Sequence, residues 1–227
     1  MNRFKTLLRE LTPLRVIAYI TGIILLGCGI TMNTKTSFGV SPVISVAYAV
    51  SALLDLPFSV MTFVYYCLLI LIQFFLLGKL FDHLQWLQIM ASLLTSAFIQ
   101  LFDTVLPTPE ALPVRLIMLL FAIILTGAGI TLTIGAKLVP NPADGLSDAI
   151  SKKTGKSLGF SKNLLDFVCI LIALLLGFAF AGHVIGIGLG TVVAVVLTGR
   201  FVALFRRPGE WLFSHDRTVS CSALEER

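Results

Sequence analysis

Six runs of apolar residues, each long enough to cross a lipid bilayer, constrain this chain more than any other feature. They lie at 16–32, 59–78, 84–105, 114–135, 160–182 and 184–205. A spanning helix needs about 17–25 predominantly apolar residues, so the chain reads as an all-α, polytopic membrane protein. The composition agrees. Hydrophobic residues make up 57% of the 227 and charged residues 13%, whereas an ordinary soluble domain is roughly 45–50% apolar and about 25% charged. A disordered chain, a collagenous chain and a disulfide scaffold are excluded on the same grounds.

The first run follows Arg3, Lys5, Arg9 and Arg15, the layout of a signal peptide, and Leu25-Leu26-Gly27-Cys28 loosely imitates a lipoprotein cleavage site. Because the apolar character recurs along the whole chain, the run is read as the first span. Two shorter segments separate the long runs. One, 42–56, is apolar. The other, 142–156, carries Asp144, Ser147, Asp148, Ser151, Lys152, Lys153 and Lys156, too many polar groups for lipid.

The two halves resemble each other. Gly27-Cys28-Gly29-Ile30-Thr31 matches Gly127-Ala128-Gly129-Ile130-Thr131, and Ser41-Pro42 matches Asn141-Pro142. Phe58-Ser59 then matches Phe160-Ser161, Cys67 faces Cys169, and His83 and His183 each stand before the last run of their half. Each half is therefore expected to hold three spans and one short non-spanning helix: residues 1–106 and 107–206, followed by a loose polar tail at 207–227. Repeats with an odd number of spans insert in opposite orientations, so the halves form an inverted pair. The basic residues fit this count. With the N-terminus in the cytoplasm, all of the 17 Lys and Arg except Lys35 and Arg115 fall on the inner face, as the positive-inside rule requires. The net charge of +5 thus belongs to a membrane surface, and no nucleic-acid partner is expected.

Candidate functional residues lie where the short helices begin. Ser41 and Asn141 are cap residues, each followed by a proline at the first helical position, Pro42 and Pro142. An irregular stretch precedes each cap, Asn33 to Val40 and Thr133 to Pro140, with glycine at 39 and 135. Irregular backbone at membrane depth is tolerated only where protein buries it or a cavity adjoins it. Two helix N-termini facing one cavity would suit an anionic or hydrogen-bonding solute, so Ser41, Pro42, Asn141, Pro142, Asp144 and Asp148 form the candidate solute site. The competing reading makes 142–156 an amphipathic helix lying on the cytoplasmic surface, its acids in water.

Asp166 is an acid well inside a long run, and Arg200 lies at a similar depth in the last one. Intramembrane charges find partners, which predicts an Asp166–Arg200 coupling pair, with a contact between Asp166 and Lys162 as the alternative. Gly182, Gly186, Gly190 and Ala194 recur every four residues, a small-residue stripe for close helix packing within one subunit or in a homodimer. Gln73, Gln88 and Gln100 are expected to hydrogen bond between helices. Cys28, Cys67, Cys169 and Cys221 read as structural thiols. No nucleophile, acid–base pair or metal-ligand spacing emerges, so neither catalysis, a cofactor nor a metal is expected.

The segments Gly39-Val40-Ser41-Pro42, Asn141-Pro142-Ala143-Asp144-Gly145-Leu146, Thr154-Gly155-Lys156-Ser157-Leu158-Gly159 and Gly186-Ile187-Gly188-Leu189-Gly190-Thr191 resemble the YczE/YitT-like group of bacterial integral membrane proteins. The resemblance covers residues 14–206. That group continues its first loop Ser-Pro-Trp-Asp, where this chain has Val43 and Ile44 after Pro42. The resemblance implies a bacterial cytoplasmic-membrane protein and supplies no substrate. The functions weighed are a small secondary transporter, a membrane accessory protein that stabilises or recruits a partner, and, least favoured, an intramembrane enzyme.

Overall fold

The computed structural model describes residues 12–225; Arg3, Lys5, Arg9 and Arg227 lie outside them. Eight helices follow in order: α1 (Pro13–Lys35), α2 (Pro42–Leu54), α3 (Phe58–Leu77), α4 (Gln88–Val105), α5 (Leu112–Gly135), α6 (Pro142–Thr154), α7 (Leu158–Leu176) and α8 (Leu189–Glu225). There is no strand among the described residues. With their flanking turns, six of the helices are long and apolar enough to span a membrane: Pro13–Lys35, Phe58–Leu80, His83–Val105, Leu112–Gly135, Leu158–Ala181 and Leu189–Gly209. The protein is a multi-pass helical membrane protein, and α2 and α6 are its two short helices.

Local chemistry sets the ends of these elements. Thr12 caps α1 by accepting from the Arg15 N–H, with Pro13 in the first turn. Asp55 and Gly155, at equivalent places in the two halves, end α2 and α6 in the left-handed conformation. Ser37 and Lys137 also share a positive φ, 55° and 56°. The backbone therefore repeats where the side chains differ.

At the centre, α1 and α5 pack antiparallel. A Cβ at Gly29 would lie 2.8 Å from the Ala122 carbonyl and 2.9 Å from the Thr126 N–H nitrogen; one at Gly129 would lie 2.8 Å from the Gly22 carbonyl and 2.9 Å from the Leu26 nitrogen. These contacts are mirror copies, 22 with 122 and 26 with 126. On the flanks, Gly27 receives Phe98 of α4, and Gly127 receives Phe201 of α8, each at 2.8 Å from the ideal Cβ. The crossed pairings repeat as well: α2 packs on α7 and α3, and α6 packs on α3 and α7. One pair breaks the symmetry. α3 packs on α4, but α7 and α8 stand apart, with α8 resting mainly on α5.

The tail is not a separate loose segment. α8 continues through Pro208 to Glu225, and Phe213 is buried against Ala18 and Ala136. The Phe213 ring fills the place a side chain at Gly135 would take.

Candidate functional site

The first short helix starts inside the bundle. Ser45, one turn into α2, donates from its hydroxyl to the Cys169 carbonyl at 3.4 Å, and Cys169 lies halfway along the fifth span. From there α2 climbs to the start of α3, where Ser51 Oγ donates to the Leu56 carbonyl at 2.7 Å and Tyr48 packs edge-on against Phe58 at 5.7 Å.

A cavity adjoins that start. Its polar wall is Asn33 of α1, Ser41, Thr126 of α5 and Thr198 of α8. Ile30, Val40, Ile44, Ile123 and Ala194 form the apolar remainder. The volume is about 20 Å³, room for roughly one water molecule. The Ser41 side chain makes no capping hydrogen bond, so its hydroxyl is left for the cavity. Asn33 is 7% exposed, and among the described residues its Oδ1 has no hydrogen-bond partner. An unpaired buried polar atom costs roughly 1–3 kcal/mol, and a water molecule in the cavity would satisfy this one.

The cavity is roofed by the irregular stretch after α1. Val40 N–H donates to the Gly186 carbonyl at 2.8 Å, and Gly190 N–H donates to the Phe38 carbonyl at 2.8 Å. The chain 38–40 thus crosses 186–190 backbone on backbone. The two glycine motifs singled out in separate halves of the sequence are the two strands of this one crossing. Beside it, Arg115 donates from Nε to the Thr36 carbonyl at 2.7 Å, and its guanidinium stands 4.6 Å from the centre of the Phe38 ring.

The second short helix begins differently. Asn141 caps it by accepting from the Ala143 N–H at 3.1 Å. Gln73 and Gln88, both fully buried, exchange amide hydrogen bonds at 3.2 Å, and Gln73 Nε2 also donates to the Pro142 carbonyl at 3.0 Å. Gly145 makes room for this pair; a Cβ there would lie 2.7 Å from Gln73 Oε1. The start of α6 is therefore stoppered by side chains, and none of its residues lines the cavity. The expectation of two helix starts sharing one cavity is corrected on this point: Ser41 reaches it and Asn141 does not. Nor is α6 simply laid on the surface, although its Asp148 and Lys152 side chains stay half-exposed. Leu146 and Ala149 are buried in the main core beside Tyr66 and Ile70, because α3 and α7 clasp the helix from both sides.

The charges also settle into different pairs. Asp144 meets Lys162 at 3.0 Å, and Asp148 meets Lys152 at 2.5 Å one turn on, in a half-exposed surface pair. Asp148 is thus remote in role from the cavity wall. Asp166 has Lys162 and Asp144 as its charged neighbours; the Asp166–Arg200 pair does not form, because α7 and α8 do not pack together. The expected stripe of Gly182, Gly186, Gly190 and Ala194 is likewise not one helix face. Gly182 and Gly186 turn the chain at φ 73° and 72° before α8 starts, while Gly190 lies under Phe38 and Ala194 faces the cavity. Gln100 accepts from the Ser59 hydroxyl, as the interhelical reading predicts. Cys28, Cys67 and Cys169 are free thiols, and among the described residues no group of His, Cys, Asp or Glu could hold a metal.

The glutamine stopper gives a direct test. Gln73→Leu leaves Gln88 buried without its partner and should lower stability by about 1–3 kcal/mol, read as a fall in thermal midpoint. Gln73→Leu with Gln88→Leu removes both polar groups and should recover much of that loss. A double variant as unstable as the sum of the singles would sink the pairing.

Asn33 was legible only as the first residue of the irregular stretch. The signal available was an amide near the end of an apolar run, in the turn whose counterpart in the other half carries Thr133. Thr126 and Thr198 gave no such sign.

The fold and site define a class: a six-span helical membrane protein with two short helices, one of which opens on a small, mostly apolar cavity. The chain belongs to a family of unknown function, DUF6198, whose model matches residues 13–207. The match covers the same stretch as the resemblance to the YczE/YitT-like group, but nothing ties the two by name. No curated protein and no solved structure matches the chain.

Proposed function

We propose that the protein is a small secondary transporter whose solute site is the cavity at the start of α2. The observation that carries this reading is the unpartnered Asn33 amide oxygen in a cavity wall that also holds an uncapped helix N-terminus. Discontinuous helices that begin within the bundle, in units repeated with inverted topology, are how many secondary transporters build a midplane site. The small volume corresponds to a closed conformation, with the crossing of 38–40 over 186–190 as the gate. In this reading the protein sits in the bacterial cytoplasmic membrane with both termini in the cytoplasm, kinship with the YczE/YitT-like group is retained, and no catalysis is involved. A thermal-shift screen of the detergent-purified protein against anionic, cationic and neutral metabolites tests it. The expected result is a stabiliser whose effect is lost in Asn33→Leu and kept in Asp148→Asn. A stabiliser insensitive to Asn33 would move the site elsewhere.

The open seam between α7 and α8 favours a second reading. The equivalent helices of the first half, α3 and α4, close on each other, whereas α7 and α8 do not. An accessory protein would use such a flank to hold a membrane partner, and stoichiometric copurification of one partner would favour that role.

A further inference from the structure

We infer that the opening between α7 and α8 is a water-filled vestibule to the α2 cavity, and that α8 closes on α7 when α4 parts from α3. The inference rests on the transporter reading for its purpose and on the packing of the two halves for its geometry. Helix packing sorts the bundle into two sets. α4 packs on α1 and α8 on α5 about the central α1–α5 pair, while α2 and α6 each pack between α3 and α7. Among the described residues, only α3 against α4 joins the sets by a sustained helix contact. The cavity lies between the sets. Asn33, Thr126 and Thr198 come from the first, and Ser41 starts a helix of the second.

The repeat shows which face is left open. Ser51 donates to the Leu56 carbonyl and Ser151 to the Lys156 carbonyl, both at 2.7 Å, so α3 and α7 begin in step, two residues short of the match between Phe58-Ser59 and Phe160-Ser161. In that register both helices bury one row, 65, 69 and 73 on α3 and 165, 169 and 173 on α7. The next row differs. Ser59, Thr62, Tyr66 and Ile70 are at most 6% exposed, and Ser59 donates to Gln100 of α4. Their equivalents Gly159, Lys162, Asp166 and Ile170 are not buried, because α8 does not pack on that face. Gly27 on Phe98 and Gly127 on Phe201 set the register of α4 and α8. Ser92 and Ser96 are buried, and their equivalents Val195 and Gly199 are exposed.

Two charges decide what fills the opening. Lys162 and Asp166 stand in a span on the uncovered row, and charged side chains at membrane depth face water or protein rather than lipid. The Lys162–Asp144 pair, at 3.0 Å, is itself 45% and 22% exposed. α7 and α8 are joined at 182–188, where 186–190 is bonded to 38–40, so that end is shut. The charged row lies toward the start of α7, the cytoplasmic end in the proposed topology. Between the two ends, α2 starts on α7 through Ser45 and Cys169 and faces Thr198 of α8 across the cavity. The α3–α4 contact is the template for closure, with Gly159 and Ala203 in the places of Ser59 and Gln100. Side-chain hydrogen bonds also explain why this side is the open one. Gln73 with Gln88 and Ser59 with Gln100 hold α3 to α4, whereas the equivalent positions carry Ala173 with Thr191 and Gly159 with Ala203, which form no such bonds.

The test uses the full chain in inverted and right-side-out membrane vesicles, with Cys28, Cys67, Cys169 and Cys221 replaced by alanine. Cys169 is buried, and it is kept, with its own reactivity as the blank, if alanine there unfolds the chain. Ile170→Cys and Gly199→Cys should react with a membrane-impermeant cationic methanethiosulfonate in inverted vesicles, and Ile70→Cys and Ser96→Cys should stay largely unreacted. No reaction at 170 or 199 would mean that lipid fills the opening, and would overturn the vestibule. Gly159→Cys with Ala203→Cys, both at exposed positions, should be joined by a short bifunctional thiol reagent, because an irreversible link collects even a state populated at about 0.1–10%. Linking Ser59→Cys to Gln100→Cys beforehand should reduce that joining to background, and Gln100→Ala, which loosens α4 from α3, should raise it several-fold. Joining that ignores the first link, that never occurs, or that runs between chains as a species of doubled mass would overturn the exchange. The metabolite screen separates the two levels. Vestibule access and joining without any stabiliser would leave the movement standing and overturn transport, whereas a stabiliser lost in Asn33→Leu without joining would overturn the movement and leave transport standing.

Discussion

Gly39→Ala is expected to be among the most damaging single-methyl changes in this protein. Gly39 has φ +106°, and its Cβ would lie 2.5 Å from the Gly188 backbone nitrogen and 2.5 Å from Thr191 Oγ1. An L-residue in such a sparsely populated backbone region costs of order 1–3 kcal/mol. Forcing a methyl into a packed contact adds about 1–3 kcal/mol more. Neither can be relieved locally, because the opposing atom is backbone and 38–40 is bonded to 186–190 at two points. Thermal unfolding of the purified variant should show a loss of several kcal/mol, or too little folded protein to purify. Gly159→Ala is the control: its Cβ meets nothing within 4 Å, and it should stay within about 1 kcal/mol of the wild type. Equal stability of the two variants would mean that the crossing yields easily and cannot be the roof of the cavity.

The second large effect should come as a matched pair. Gly29→Val and Gly129→Val occupy mirror positions in the α1–α5 contact, each with a Cβ under 3.0 Å from backbone atoms of the facing helix. Each should therefore cost a similar amount, about 1–3 kcal/mol or somewhat more. The double variant should lose less than the sum, because helices already pushed apart by one side chain accommodate the other, and neighbouring sites couple by roughly 0.5–3 kcal/mol. Unfolding midpoints of the two singles and the double give the cycle. Markedly unequal singles, or strict additivity, would contradict a two-fold interface built on these glycines.

Some of the architecture was legible because it depends on local chemistry. An unbroken apolar run of about 20 residues has no other stable solution in lipid than a helix, so the six spans could be placed from the sequence, with their ends off by a few residues where α8 starts late, at Leu189. The cap-proline starts fixed both short helices for the same reason. The duplication was legible in its glycines, whose spacing survives because no larger residue fits between α1 and α5. The candidate site was legible only by half. Ser41 was found from its cap position, but Asn33, Thr126 and Thr198 come from three different helices, and their meeting depends on how those helices rotate. Pairing of charges failed where it assumed adjacency: Asp166 and Arg200 have matching depths, but depth does not decide which helices touch.

What the sequence determined by itself was therefore the solvent, the number of spans, the two short helices and the internal repeat, all consequences of apolar length, caps and small-residue spacing along one chain. Only the tertiary structure decided that the halves are unequal at their short helices. In one half the Gln73–Gln88 pair stoppers the helix start; in the other a shorter, uncapped Ser41 leaves a cavity with an unpaired Asn33. Which polar groups are paired inside a bundle depends on side chains brought together from distant helices, and that information is not carried by any one segment.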